Sequence, residues 1–326
     1  MNKSALKSFA TTMRVELLSI VKNKVEYLLS AEYKNNLAEY DANKDHIKTI
    51  EERYAKDGND FIEEVAYIWF NRLVALRFMD ANEITSSTVI SFTDDNPIPE
   101  VFTEAKSGVF PDEVEINKQL FFDLIDGKIA GVSDGNNQAY KQLFIAICNS
   151  YAKLMPTMFE EISDYTELLL PEDMLSPNSI RARVVKAMSE SDCQDVEVIG
   201  WLYQFYISEK KDDVFARLKK NQKITPANIP AATQIFTPHW IVRYMVENSL
   251  GKLWLLNKPS SSLKEKMKYY IDNEQETTNF IKITSPEELT LLDPCCGSGH
   301  ALTYAFDLLT AIYEEEGYSK SEIPKL

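Results

Sequence analysis

No stretch of this sequence approaches the ~18 consecutive apolar residues of a membrane-spanning helix, so a membrane-embedded protein is excluded. The opening residues, Met1 to Thr12, carry lysines but no apolar core of a signal peptide, which argues against secretion. Cysteine is scarce. Cys148, Cys193, Cys295 and Cys296 form no C-x-x-C pair and no evenly spaced framework, so a reducing, cytoplasmic setting is expected. Positive charge is in deficit: 35 Lys and Arg against 50 Asp and Glu leave a net charge of −15, which argues against a surface that coats nucleic acid broadly. A local basic groove stays compatible with that sum. Internal repeats and low-complexity tracts are absent as well. What is plentiful is apolar. With 44% hydrophobic and 26% charged residues, a chain of 326 residues can bury ordinary cores in about two domains.

Most of the chain reads as helix. From Leu6 to Tyr33, apolar residues such as Met13, Leu17, Ile20, Val21, Val25 and Leu28 recur at three- and four-residue spacings without an internal Pro or Gly. Phe61 to Met79 is stronger: Phe61, Val65, Ile68, Trp69, Leu73, Leu76 and Phe78 form a face broad enough for a central core helix. Between Asn82 and Pro111, three prolines and many Ser, Thr and Asp residues interrupt any period, so a long connection draped on the helical body is expected. Helical patterns resume at 117–125, 139–154, 180–188 and 196–207. A charged helix follows from Glu209, and Pro226 and Pro230 break what comes next, which puts a domain boundary near residue 225.

The grammar changes at Leu289-Thr290-Leu291-Leu292. This short apolar run ends at Asp293-Pro294, where a parallel strand would end, and Gly297-Ser298-Gly299 leads into a helical pattern from His300 to about Glu316. Strand, glycine loop and helix together open an α/β nucleotide-type fold. Glycines without Cβ let a ligand approach the backbone, and the following helix start offers N–H groups and a positive dipole end to an anion. The loop lacks the Gly-Lys-Ser/Thr ending of an ATP-binding P-loop and the G-x-G-x-x-G of a dinucleotide fold.

Asp293 to Gly299, DPCCGSG, resembles the D-P-x-x-G-S-G first motif of adenine-specific DNA methyltransferases, which binds S-adenosylmethionine. Upstream, QIFTPHWIVRYMV (Gln234 to Val246) resembles the F-x-T-P or F-T-P element that precedes that motif in type I modification subunits and their relatives. It departs from the commoner pattern at Thr233 and Ile235, where a Gly and an aromatic are usual. AYIWFNRLVALRFM, IGWLYQFYISEKKDDVFA and ITPANIPAATQIFTPHWIVRYMVENSLGKLWL extend the likeness over much of the chain, to the N-terminal portion of the PglX family of BREX phage-defence methyltransferases. The resemblance implies a mainly α N-terminal domain (1–225), then the start of an α/β Rossmann-like S-adenosylmethionine-dependent methyltransferase domain (226–326). It also implies cofactor contacts at Thr237, Pro238, Asp293, Pro294, Cys295, Gly297, Ser298 and Gly299. Thr237 is expected to be the N-cap and Pro238 the first residue of a helix whose start faces the cofactor.

Other constellations carry less. Pro294-Cys295 looks like the nucleophile of cytosine-5 methyltransferases, but it sits inside the cofactor loop rather than downstream of it, and methylation of an adenine amine needs no covalent nucleophile. Cys295, Cys296 and His300 fall short of the four ligands at recurrent spacing that zinc requires, so no metal is expected. His46 and His239 have no acid or nucleophile at motif spacing and are read as structural. Asn96-Pro97-Ile98-Pro99 is not the family's catalytic N-P-P-[YF] motif: its third residue is wrong, and it precedes the cofactor loop. No other Asn-Pro-Pro or Asp-Pro-Pro occurs, so no catalytic residue is expected within these residues. Two basic groups, Lys3, Lys7, Arg14, Lys22 and Lys24 on the first helix and Arg217 to Lys223 on the charged one, could contact phosphates, although such runs are more often solvated helix faces.

The expected function is therefore site-specific N6-methylation of a flipped adenine in double-stranded DNA, with S-adenosylmethionine as donor and other defence proteins as further partners. The alternative, favoured by the −15 charge and the missing catalytic motif, is a non-catalytic helical scaffold in a defence complex.

Overall fold

The computed structural model describes the chain except for Met1, residues 93–95, 157–158, 160–164, 226–227, 234–236, 273–278 and 298, and except for the side chains at 37–39 and 230. It divides into two compact units, Met1–Ala232 and Thr233–Leu326, whereas the proline-marked boundary was expected near residue 225.

The first unit is helical throughout its regular structure. α1 (Lys3–Leu29) starts at Asn2, whose side chain accepts from the Ala5 N–H at 3.1 Å. It stops at Ser30, because that serine caps the next helix by accepting from the Tyr33 N–H. α2 (Ala31–Asn35), α3 (Leu37–Ala42) and α4 (Lys44–Asp57) follow, then α5 (Asn59–Ala81). The expected central helix is α5. It buries Phe61, Val65, Trp69, Phe70, Leu73 and Leu76, and it packs against α1, α4, α9 (Ile180–Ala187) and α11 (Glu197–Tyr206). Between α5 and α9 lie α6 (Glu100–Lys106), α7 (Lys118–Ile125) and α8 (Gly135–Ala152); α10 (Glu190–Cys193) precedes α11, and α12 (Ser208–Lys219) and α13 (Ile229–Thr233) follow it.

The long connection after α5 is more deeply held than a draped loop. Val89 and Ile90 are buried, which takes their backbone away from water and obliges it to find partners. Asp80 at the end of α5 supplies them, accepting from the N–H groups of Val89, Ile90 and Ser91 at 2.9, 2.9 and 2.8 Å. Arg181, 1% exposed, donates to the carbonyls of Ile90, Pro97, Met174 and Leu175. Arg77 adds the Met188 carbonyl and the Ser91 hydroxyl. The connection also contains α6, entered through Pro99.

The basic stripe on α1 turns partly inward. Arg14 bonds Glu63 and Glu209, and Lys24 reaches Glu172 and the Leu170 carbonyl. Lys3 lies 3.8 Å from the centre of the Trp201 ring, and Lys22 pairs with Glu26 one turn on. These cations tie elements together more than they offer a row of phosphate contacts.

In the second unit, α14 (His239–Val246) passes through a π-helical turn, Glu247–Gly251, into α15 (Lys252–Asn257). Gly251 lies so close to Met267 that a Cβ there would stand 2.3 Å from its sulfur. α16 (His300–Glu315) packs against α14, and Trp254, Leu250, Leu263, Leu308 and Ile312 form the core. The strand expected at Leu289–Leu292 is not formed; among the described residues there is no strand. Leu289 is extended (φ −76°, ψ 118°), but a strand is defined by its ladder with a neighbour, and no described segment supplies one. Leu292 is left 87% exposed. The expected α/β opening is present as loop and helix only.

Candidate functional site

Asp293 opens the loop with a local turn: its carboxylate accepts from the Cys295 N–H at 2.9 Å. Pro294, Cys295, Cys296 and Gly297 are exposed, and Asp293 and Gly299 half-buried. Gly297 (φ 56°) and Gly299 (φ 76°, ψ 12°) both occupy the left-handed region, which any side chain would strain. Gly299 is the N-cap of α16; its N–H closes on the Cys296 carbonyl at 2.8 Å, and its own carbonyl accepts from the Thr303 N–H at 2.8 Å. Among the described residues no side chain caps this helix start, and no acidic residue stands in its first turn. A Cβ at Gly299 would meet no atom within 4 Å, so the backbone is open to an approaching group. An uncapped, acid-free helix start beside open backbone suits a carboxylate or phosphate. Ser298 lies outside the described residues, as does Phe236 of the upstream element.

The structure brings Thr237 to this loop. The Nδ1 atom of His300, the first residue of α16, lies 3.0 Å from the Thr237 carbonyl; a carbonyl only accepts, so the proton is on Nδ1. The His300 ring stacks on that of His239 at 5.5 Å, and His239 Nε2 accepts from Arg243 Nε at 3.0 Å. The Arg243 guanidinium sits 5.1 Å from the centre of the Tyr304 ring, and the Tyr304 hydroxyl donates to Glu247 at 2.7 Å. Glu247, fully buried in the π-helical turn, also accepts from the Tyr269 N–H. Burial and the Glu247 carboxylate together push the Tyr304 phenol up from its ordinary range. One detail differs from the sequence reading. Pro238 (φ −54°, ψ 140°), not Thr237, is the N-cap of α14, and no side chain completes the cap, because proline's ring sets its own φ and its carbonyl already accepts the first helical bonds from Ile241 and Val242.

Sequence reasoning found the two segments and missed what joins them. His239, Arg243 and Glu247 recur every four residues on one helix, and His300 and Tyr304 do the same on another. That spacing was the available signal, and each histidine judged singly hid it.

Comparison with known proteins supplies the class. No established family profile matches the chain. Over 282 residues it is 41% identical to the adenine-specific methyltransferase BrxX of Escherichia coli O9:H4 (strain HS), an alignment covering 81% of this chain and 22% of BrxX. Over 375 aligned positions it is 32% identical to the adenine-specific methyltransferase PglX of Lacticaseibacillus casei (strain Zhang), covering 99% of this chain and 30% of PglX. The chain is thus a homologue of adenine-specific methyltransferases. More narrowly, its similarity is to the BrxX and PglX proteins, and it spans less than a third of the length of either.

Proposed function

We propose that this chain holds the S-adenosylmethionine-binding element of a DNA adenine N6-methyltransferase acting in phage defence. The observation that carries the reading is the meeting of the two motif segments through His300 and the Thr237 carbonyl. The methionine carboxylate of the cofactor fits the start of α16, where Gly297 and Gly299 bring bare backbone to the helix end, and Ser298 is proposed as a further contact. Asp293, Pro294 and Cys295 shape the loop, and Thr237 and Pro238 cover its methionine side. His300 holds that cover in place. The bound cofactor would supply a methyl group on an electrophilic sulfonium.

The acceptor in this reading is the exocyclic amine of an adenine turned out of double-stranded DNA, which attacks the methyl directly. The residues that hold the amine are not among these 326, since no Asn-Pro-Pro or Asp-Pro-Pro occurs in them. This chain alone is accordingly expected to transfer no methyl group. Cys295 has no covalent part to play, because the amine is itself the nucleophile.

The test is a calorimetric titration with S-adenosylmethionine, alongside transfer of tritiated methyl to DNA, in the longer protein that contains this chain. Gly299→Asp places a side chain on left-handed backbone and a second negative charge beside the cofactor's carboxylate. It should weaken binding more than about a hundredfold, or ~2.7 kcal/mol. Cys295→Ser should bind and methylate as before. Unchanged affinity in Gly299→Asp would remove the loop from the cofactor site.

A further inference from the structure

The helical unit contains a cavity of about 300 Å³, at the lower end of the range that small ligands fill. Three tyrosines make its wall: Tyr67 from α5 and Tyr203 and Tyr206 from α11. The Tyr67 ring stands 5.4 Å from that of Tyr203 and 5.6 Å from that of Tyr206, both tilted. Phe70 backs Tyr206 at 4.4 Å, which fixes that ring from behind. Ring faces held this way offer stacking to a flat aromatic group and little to an aliphatic one beyond its area. Deep in the wall, Tyr206 is 3% exposed and its hydroxyl has no hydrogen-bond partner among the described residues. That hydroxyl is sealed within the wall, so Tyr206 gives the cavity ring surface rather than a hydrogen bond.

The rim decides the charge of the occupant. Glu63 accepts from Arg14 on one carboxylate oxygen at 2.9 Å and from Lys210 on the other at 2.6 Å. Arg14 is shared with Glu209, and Glu64 is taken by Arg53 at 2.8 Å. Asp60 stands in the first turn of α5, where the helix dipole favours it. An anion would have to displace Glu63 from both cations. A cation would meet Arg14 and Lys210 at close quarters, with Glu63 and Glu64 already paired. A neutral ring with donor and acceptor atoms on its edge asks for neither exchange.

We propose that this tyrosine cavity binds a neutral nucleobase as a nucleoside or as an unstacked base of a polynucleotide, at a site built from residues other than those of the glycine loop. The ring would lie against Tyr67 and Tyr203, and its polar edge would face the Arg14–Glu63–Lys210 network. Base-on-aromatic stacking is tolerant of sequence because every base has a π face, so modest discrimination among bases is expected.

The test uses the intact chain and calorimetry with adenosine, guanosine, cytidine and thymidine separately, then with a short single-stranded oligonucleotide and its abasic counterpart. Saturable binding of at least one nucleoside is expected. Tyr203→Ala should weaken it tenfold or more; Tyr203 is only partly buried, and an unchanged melting temperature would show the fold intact. Gly299→Asp should leave nucleoside binding unaltered, which separates this site's failure from a failure of the cofactor assignment. If nucleosides do not bind but the oligonucleotide does, and its abasic form binds less, the source is a polynucleotide base. Binding by neither, binding indifferent to Tyr203→Ala in a folded protein, or preference for tetramethylammonium over every nucleoside would overturn the proposal.

Discussion

In residues 1–232 buried Asp80 and Arg181 each hold more than one backbone group of the long connection after α5, buried Arg77 bonds its Ser91 hydroxyl, and the apolar core runs from α1 through α11. In residues 233–326 the core is a small cluster around Trp254, and Glu247 is the buried charge among the described residues. Its partners are the Tyr304 hydroxyl and the Tyr269 N–H, close to the two motif segments rather than under a connecting loop. The first unit uses charge to organise irregular backbone. The second uses it where two helices that carry candidate binding residues meet. Core size and placement of charge therefore separate the two units, and that contrast can be tested.

The largest effect belongs to the smaller core. Trp254→Ala removes a fully buried ring from a cluster with few other large side chains. It should cost about 3–5 kcal/mol, enough to unfold the second unit of a domain this small. The expected readout is loss of hydrogen-exchange protection across α14 and α16 with protection of α5 unchanged; protection lost equally in both units would end the contrast. Arg181→Met should come next, at about 3 kcal/mol, because four carbonyls lose a charged donor at once. Denaturant unfolding measures it. A cost below ~1 kcal/mol would mean that the connection does not depend on the guanidinium.

What is legible in the amino-acid sequence follows the same division. α5 was legible because its apolar positions recur at helical spacing over more than five turns, and the glycine loop because two left-handed glycines flank a helix start. α4 was not legible: it buries only Ile47 and Ile50, too few to mark a face. α6 was hidden among prolines whose breaking effect dominates a short window. The strand reading of 289–292 failed for a physical reason, since local apolar character cannot supply the neighbour that a ladder needs. Arg181 could not be assigned Ile90 and Pro97 because they lie far along the chain, and Asp80 could not be assigned its nearer partners because they sit in a segment with no period of its own.

A smaller effect is expected at the junction of the two motif helices. Tyr304→Phe deletes the hydroxyl that donates to buried Glu247 and should cost about 1.5–3 kcal/mol, a hydrogen bond to a charged group. If the π-helical turn merely tolerates Glu247, Glu247→Gln will restore the stability of the Tyr304→Phe variant; if the pair holds the two helices in register, it will not. Thermal unfolding of the single and double variants decides between these outcomes.

The smallest effect tests the first unit through pH. Burial works against the Glu172 carboxylate, yet the charges of Lys24 and Lys141 outweigh it and hold the group at about 2. Lys24 itself is brought down to about 8 by burial and by the like charge of Lys141, against the attraction of Glu172. The signs follow from linkage. A depressed carboxylate stabilises the folded state above its unfolded value near 4.5, and that contribution is lost as pH falls from there toward 2. A depressed lysine opposes folding while it is protonated in both states, and the opposition is relieved as pH rises from about 8 toward 10.5. Because the Glu172 side chain is 63% exposed, solvent screening limits the acid-side contribution to about 1 kcal/mol. Glu172→Gln should therefore flatten the fall in stability of the first unit between pH 4.5 and 2, and it should do so less in high salt. A variant whose acid limb matches that of the parent would show that the three-residue cluster adds nothing to the first unit. The contrast between the units would then rest on Arg77, Asp80 and Arg181 alone.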